Sequence, residues 1–179
     1  MGPMRSRLTA LGGHAVHVMF VHVAMGILPA MLALDVFYHL GAGPALWIAA
    51  GYLALVGVAF LALTAITGAI DLSAVPDDTR AHTIGALHAT SGLLVLAMAG
   101  VSLLLRWPLG SDPANVPWVT IADVVGTALI PFQGWSGGEM VYRHHVGVLE
   151  RGEGGDPISR GPGKATARDA PRPGGSRRA

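Results

Sequence analysis

Imidazole is the side chain best suited to hold iron, copper or zinc at neutral pH. This 179-residue chain has eight histidines and no cysteine: His14, His17, His22, His39, His82, His88, His144 and His145. Without cysteine there are no disulfides, no thiolate-held iron–sulfur cluster, no haem attached through C-x-x-C-H and no Cys-based zinc site. Any metal chemistry therefore rests on His, Asp, Glu or Met. Two imidazoles on different helices at one depth suit a bis-His b-type haem, because the iron takes one axial nitrogen from each side. Three or four imidazoles together suit zinc or copper.

The elements that must position these groups are membrane spans. Hydrophobic residues make up 51% of the chain and charged residues 13%, against about 25% charged in a soluble domain. A helix needs roughly 20 apolar residues to cross a bilayer core, and four stretches supply them: about Gly12 to Tyr38, Ala45 to Ile70, His82 to Leu105 and Trp118 to Val141. Turn-forming segments separate them, GAGP at 41–44, SAVPDDTR at 73–80 and RWPLGSDPANVP at 106–117. Short loops predict an all-α, antiparallel, integral-membrane four-helix bundle. The first run is too long for the apolar region of a cleaved signal peptide, which spans about 7 to 15 residues. Arg5, Arg7, Arg80, Arg143 and the C-terminal cations fall on one side and Arg106 on the other, which predicts a multi-pass membrane protein with both termini cytoplasmic.

In that topology seven histidines, all but His39, gather at the inner boundary with Asp71, Arg80, Glu139 and Arg143. If His14 and Arg80 mark the interface, His22 and His88 each lie about 12 Å inside it at 1.5 Å per residue. They are the expected deep pair. His14, His17 and His22 span an arc of about 140°, which is taken to face inward, whereas His82 points about 120° away from His88 and belongs to the interface. Gly26, Gly85 and Gly92 are expected to let a flat macrocycle approach the helices, and Arg80, Arg143 and Tyr142 to meet its propionates. His14 or His17, with His144 or His145, would form a second haem site or a small copper, zinc or iron site. Glu139 is expected to accept a histidine N–H and orient a ligated ring. Asp35 and Asp123, towards the outer half, are expected to pair with Thr120, Thr127 or His39, or to relay protons.

The remaining segments are a short cytoplasmic N-terminal piece, residues 1–11, and a Gly-, Pro- and Arg-rich stretch, residues 150–179, which flank the transmembrane domain at 12–149. The C-terminal stretch carries seven cations and four anions and has too few large apolar residues to fold. A net charge of +1 with no aromatic-interleaved basic patch excludes nucleic acid as a partner. Scattered glycines with no strand–loop–helix unit argue against a phosphate-binding enzyme.

Three segments resemble one family. GGHAVHVMFVHVAMG at 12–26 is similar to a G-H-P-x-H-P-x-x-V-H-F-P signature, TGAIDLSAVPDDTRAHTIGALHAT at 67–90 to a segment with G-x-x-D, Thr-Arg and L-H-A, and GWSGGEMVYRHHVGV at 134–148 to a G-W-x-G-G-E-x-V-Y-R-H-G-V-G-V ending. The family is domain of unknown function family 2231, predicted bacterial membrane proteins. The resemblance implies four helices and a polar set of His14, His17, His22, Asp71, His88, Glu139, Arg143 and His144. It also implies electron transfer, because some members are joined to Rieske or cytochrome c-like modules. Here Ala15 and Val18 stand where the pattern has prolines, Val23 and Ala24 where it has Phe-Pro, and His145 where it has glycine.

The combined expectation is a membrane-embedded subunit holding one or two b-type haems. It would relay electrons between a quinone and a redox protein, alone or in a homo- or hetero-oligomer, more as an electron-transfer subunit than as a stand-alone enzyme. The alternatives are a His-rich non-haem metal protein and a structural or accessory subunit whose small residues pack against larger partners.

Overall fold

The computed structural model describes residues 16–109 and 116–146. The chain divides into two units at Leu149/Glu150, and every described residue belongs to the first. His14, the N-terminal piece and the C-terminal stretch lie outside the described residues.

Five helices make four spans: α1 (Val16–His39), α2 (Ala45–Leu72), α3 (Arg80–Leu105), and α4 (Val116–Ala128) with α5 (Ile130–Tyr142), which share the fourth. All four spans are long and apolar enough to cross a membrane. Between α1 and α2 the chain reverses through Gly41 (φ 85°) and Gly43 (φ 113°), a backbone open to glycine without strain. Thr79 starts α3 by accepting the His82 backbone N–H at 3.2 Å. The fourth span breaks at Leu129, ahead of Pro131 in the first turn of α5. Proline has no N–H for the helix ladder and crowds the carbonyl four residues back, so the ladder restarts there.

The helices pack in a cycle, α1 on α2, α2 on α3, α3 on α4, and α4 back on α1, while α5 is carried by α3. Helices α1 and α3 therefore stand diagonally across the bundle. Ala24, Leu28, Leu61, Val95 and Ala99 form the central core. Small residues let the α1–α2 backbones approach: a Cβ on Gly57 would sit 3.0 Å from Ile27 Cγ2. Large apolar side chains such as Met19, Tyr52, Ile66, Leu93, Leu104 and Trp118 are exposed, as the lipid-facing surface of a bundle requires.

One polar cluster is buried where α2 begins, α1 and α3 end, and α4 begins. Arg106, 1% exposed, donates from Nη2 to Asp35 Oδ2 at 2.6 Å and to Asp123 Oδ2 at 2.9 Å. Its Nε donates to Ser102 Oγ at 3.3 Å and its Nη1 to the Trp47 carbonyl at 3.5 Å, and the guanidinium lies 4.4 Å from the centre of the Trp47 ring. The expected partners of the two aspartates are thus corrected. His39 Nε2 and Thr120 Oγ1 bond each other at 3.0 Å instead, and Thr127 Oγ1 has no partner. Opposite charge decides this, because a guanidinium can satisfy two carboxylates and a hydroxyl cannot balance one.

Removing one member of a buried ion cluster leaves the others uncompensated, so Arg106→Met should destabilise the bundle by about 3–5 kcal/mol, read as a lowered thermal midpoint in detergent. At the other end His145 is exposed with φ 53°, and the Val146 N–H closes onto the Met140 carbonyl at 3.1 Å. A left-handed backbone costs a non-glycine residue roughly 1–2 kcal/mol. His145→Gly, the residue of the family pattern, should therefore raise the midpoint slightly.

Candidate cofactor site at the histidine end

Helix α1 presents His17 to α2. Its Nδ1 lies 2.9 Å from the Thr64 carbonyl, and a carbonyl only accepts, so Nδ1 carries the proton. In the neutral ring Nε2 is then the bare nitrogen. The imidazole lies against Gly68, where a Cβ would come within 2.7 Å of His17 Cε1. Only glycine leaves room for the ring there.

Helix α3 presents His88 to α5 in the same tautomer. Its Nδ1 lies 2.8 Å from Ser136 Oγ. That hydroxyl spends its own proton on the Phe132 carbonyl at 2.8 Å, so it accepts from His88 Nδ1–H and leaves Nε2 bare. Gly137 faces the ring at 3.4 Å from a would-be Cβ. Gln133 fastens the same stretch of α3, donating from Nε2 to the His88 carbonyl at 3.2 Å and to Ser91 Oγ at 2.7 Å.

The two rings meet across the bundle diagonal, with centroids 6.2 Å apart and planes at 77°. Two imidazoles on opposite sides of one ion have centroids about 6 Å apart, given a metal–nitrogen distance of about 2.0 Å and about 1.1 Å from ring nitrogen to centroid. A second-shell acceptor on Nδ1, a carbonyl for one ring and a hydroxyl for the other, is the arrangement that orients ligating histidines.

The deep pair is therefore His17 with His88, which corrects the expected partnership of His22 with His88. His22 is exposed and turns its Nδ1–H back onto the Val18 carbonyl of its own helix at 2.6 Å. Five residues of helix separate His17 and His22 by about 140°, too wide an arc for both to face the interior. Depth misled as well, because α3 begins at Arg80 at the surface whereas His17, in the first turn of the described α1, already lies beside Thr64 and Gly68, inside the end of α2.

The other expected residues disperse. His82 stands in the first turn of α3, its Nε2 3.3 Å from Oδ1 of Asp77 in the α2–α3 loop. His144 has a buried Nε2 without a hydrogen-bond partner, and His145 is exposed. Arg80 is exposed, and Arg143 donates to Glu139 Oε1 at 3.1 Å, so Glu139 serves an arginine where a histidine N–H was expected. Among the described residues no three His, Asp or Glu side chains gather as a metal site, and His14, a further member of the expected multi-histidine centre, lies outside them. Of the expected glycines, Gly26 has open space beside it, whereas the space beside Gly85 is filled by Leu72 and Met140 and Gly92 faces Gln133. Gly68 and Gly137, which seat the imidazoles, went unnoticed, as did Thr64 and Ser136. The spacing of Ser136 and Gly137 within the GWSGGE segment was the available signal.

No curated protein and no solved structure matches the chain. The family model of a predicted membrane protein, DUF2231, matches residues 13–150. That stretch holds all four spans, the buried Arg106 cluster and every histidine, and the chain belongs to domain of unknown function family 2231.

Proposed function

We propose that this protein is a membrane-embedded electron-transfer subunit in which His17 and His88 would hold a b-type haem. The observation that supports it is two Nδ1-tethered imidazoles on diagonal helices, each with a bare Nε2, whose ring centroids stand 6.2 Å apart. When bound, haem supplies one-electron redox chemistry. The chain's own residues supply the rest. Thr64 and Ser136 fix the tautomers, and Gly68 and Gly137 give the rings their seats. Arg80 and Arg143 are the cations nearest this end for propionates. A quinone and a redox protein at the bacterial plasma membrane, with both termini cytoplasmic, complete the reading.

A second reading has its own support. Gly85 and Gly92, the expected approach for a macrocycle, are occupied by Leu72, Met140 and Gln133, which favours a bare ion such as copper between the same two nitrogens. Two ligands fall short of the four a structural zinc takes.

Absorption spectra of the full-length protein, purified after expression with haem supply, decide the main reading. A Soret band and dithionite-sensitive visible bands are expected, and their absence would sink it; stoichiometric copper or iron without porphyrin would establish the second. His17→Ala and His88→Ala should each abolish binding, whereas His22→Ala should leave it intact. Ser136→Ala should weaken cofactor affinity by about 10- to 100-fold, and Gly68→Val should lower occupancy by displacing the His17 ring.

A further inference from the structure

The Arg106 cluster at the opposite end carries more negative than positive charge. Asp35 and Asp123 are each 1% exposed, and both bind the same nitrogen, Arg106 Nη2, through their Oδ2 atoms. The second oxygen of each, Asp35 Oδ1 and Asp123 Oδ1, is buried with no hydrogen-bond partner. The groups that face the pair are Trp47 from α2, Ser102 and Arg106 from α3, and the two aspartates from α1 and α4. Nearer the membrane surface stand Tyr38, packed on Trp47, and the exposed His39, bonded to Thr120. With all three ionised, the cluster has one cation for two anions in an apolar bundle. Neighbouring carboxylates in such a place hold a proton between them.

We propose that Asp35 and Asp123 form a proton-binding site, with one exchangeable proton shared by the two carboxylates, whose Oδ1 atoms have no hydrogen-bond partner. The proton comes from the aqueous phase, bonds to one Oδ1 and is donated as a hydrogen bond towards the other carboxylate. The cluster then carries one guanidinium, one carboxylate and one carboxylic acid, a net charge of zero. A proton needs only these two oxygens. A hard metal cation takes six or more, and no three acidic or imidazole groups gather here among the described residues. The site is independent of the haem reading and stands or falls without it.

Infrared spectroscopy of the full-length protein in lipid at neutral pH tests the inference. One carbonyl band of a buried carboxylic acid is expected, shifting in D2O. Asp35→Asn and Asp123→Asn, which replace a neutral acid by a neutral amide and keep one Arg–carboxylate pair, should each lose the band with thermal stability retained. The double variant strands Arg106 and should fall apart. The absence of the band in the unaltered protein would overturn the proposal, as would a band that survives both single variants. A thermal midpoint that rises with sodium and not with choline would assign the site to a metal cation instead. The measurement on the unaltered protein holds whether or not the variants fold.

Discussion

A buried guanidinium holds one end of this bundle together. Arg106 reaches α1 and α4 through Asp35 and Asp123, and α2 through the Trp47 ring and carbonyl. Apolar side chains drive no such specificity in lipid, where a leucine is as well solvated by acyl chains as by another leucine. An ion cluster has few equivalent arrangements, because a guanidinium moved one turn along its helix would abandon both carboxylates to a medium that cannot solvate them. The cluster thus sets the register of the four spans relative to one another, and small residues such as Gly57 then let their backbones close up.

Register fixed at one end has a consequence at the other. His17 and His88 lie on diagonal helices that share no extended packing face. They meet because α2 and α5 hold them, through Thr64 and Gly68 on one side and Ser136 and Gly137 on the other. The break at Leu129 and Pro131 belongs to the same design. It separates the part of the fourth span that packs on α1 from the part carried by α3, and the latter bears the hydroxyl and glycine that receive His88. Each imidazole is tied by the nitrogen it protonates and offers the one it does not.

The four spans were legible because lipid imposes a length and a composition, and both can be read along the chain. The breaks at GAGP and SAVPDDTR carried their own punctuation, and the observed helices depart from the expected spans by only a few residues. The histidine end was legible as a region: an antiparallel order brings alternate helix ends together whatever the packing. His82 could be set aside from its angle to His88 alone. The partner of His88 could not be read, since equal counts of residues from assumed interface markers presuppose matched depth and rotation, whereas His17 and not His22 meets His88. The aspartates show the same limit. Asp35 and Asp123 were visible as rare intramembrane charges and Arg106 as a loop cation on the same side, but that Arg106 is buried between them, and which polar atom each meets, depends on helix rotation.

The sequence by itself determined the number of spans, their alternation, the end at which the histidines collect and the absence of thiolate chemistry, because these follow from residue type and chain order. Only the tertiary structure decided that His17 and not His22 faces His88, that Thr64 and Ser136 set their tautomers, and that one arginine binds two aspartates. Each of those outcomes turns on the rotation and axial offset of one helix against another. Side-chain packing and buried charge fix these, and they leave no periodic mark along the chain.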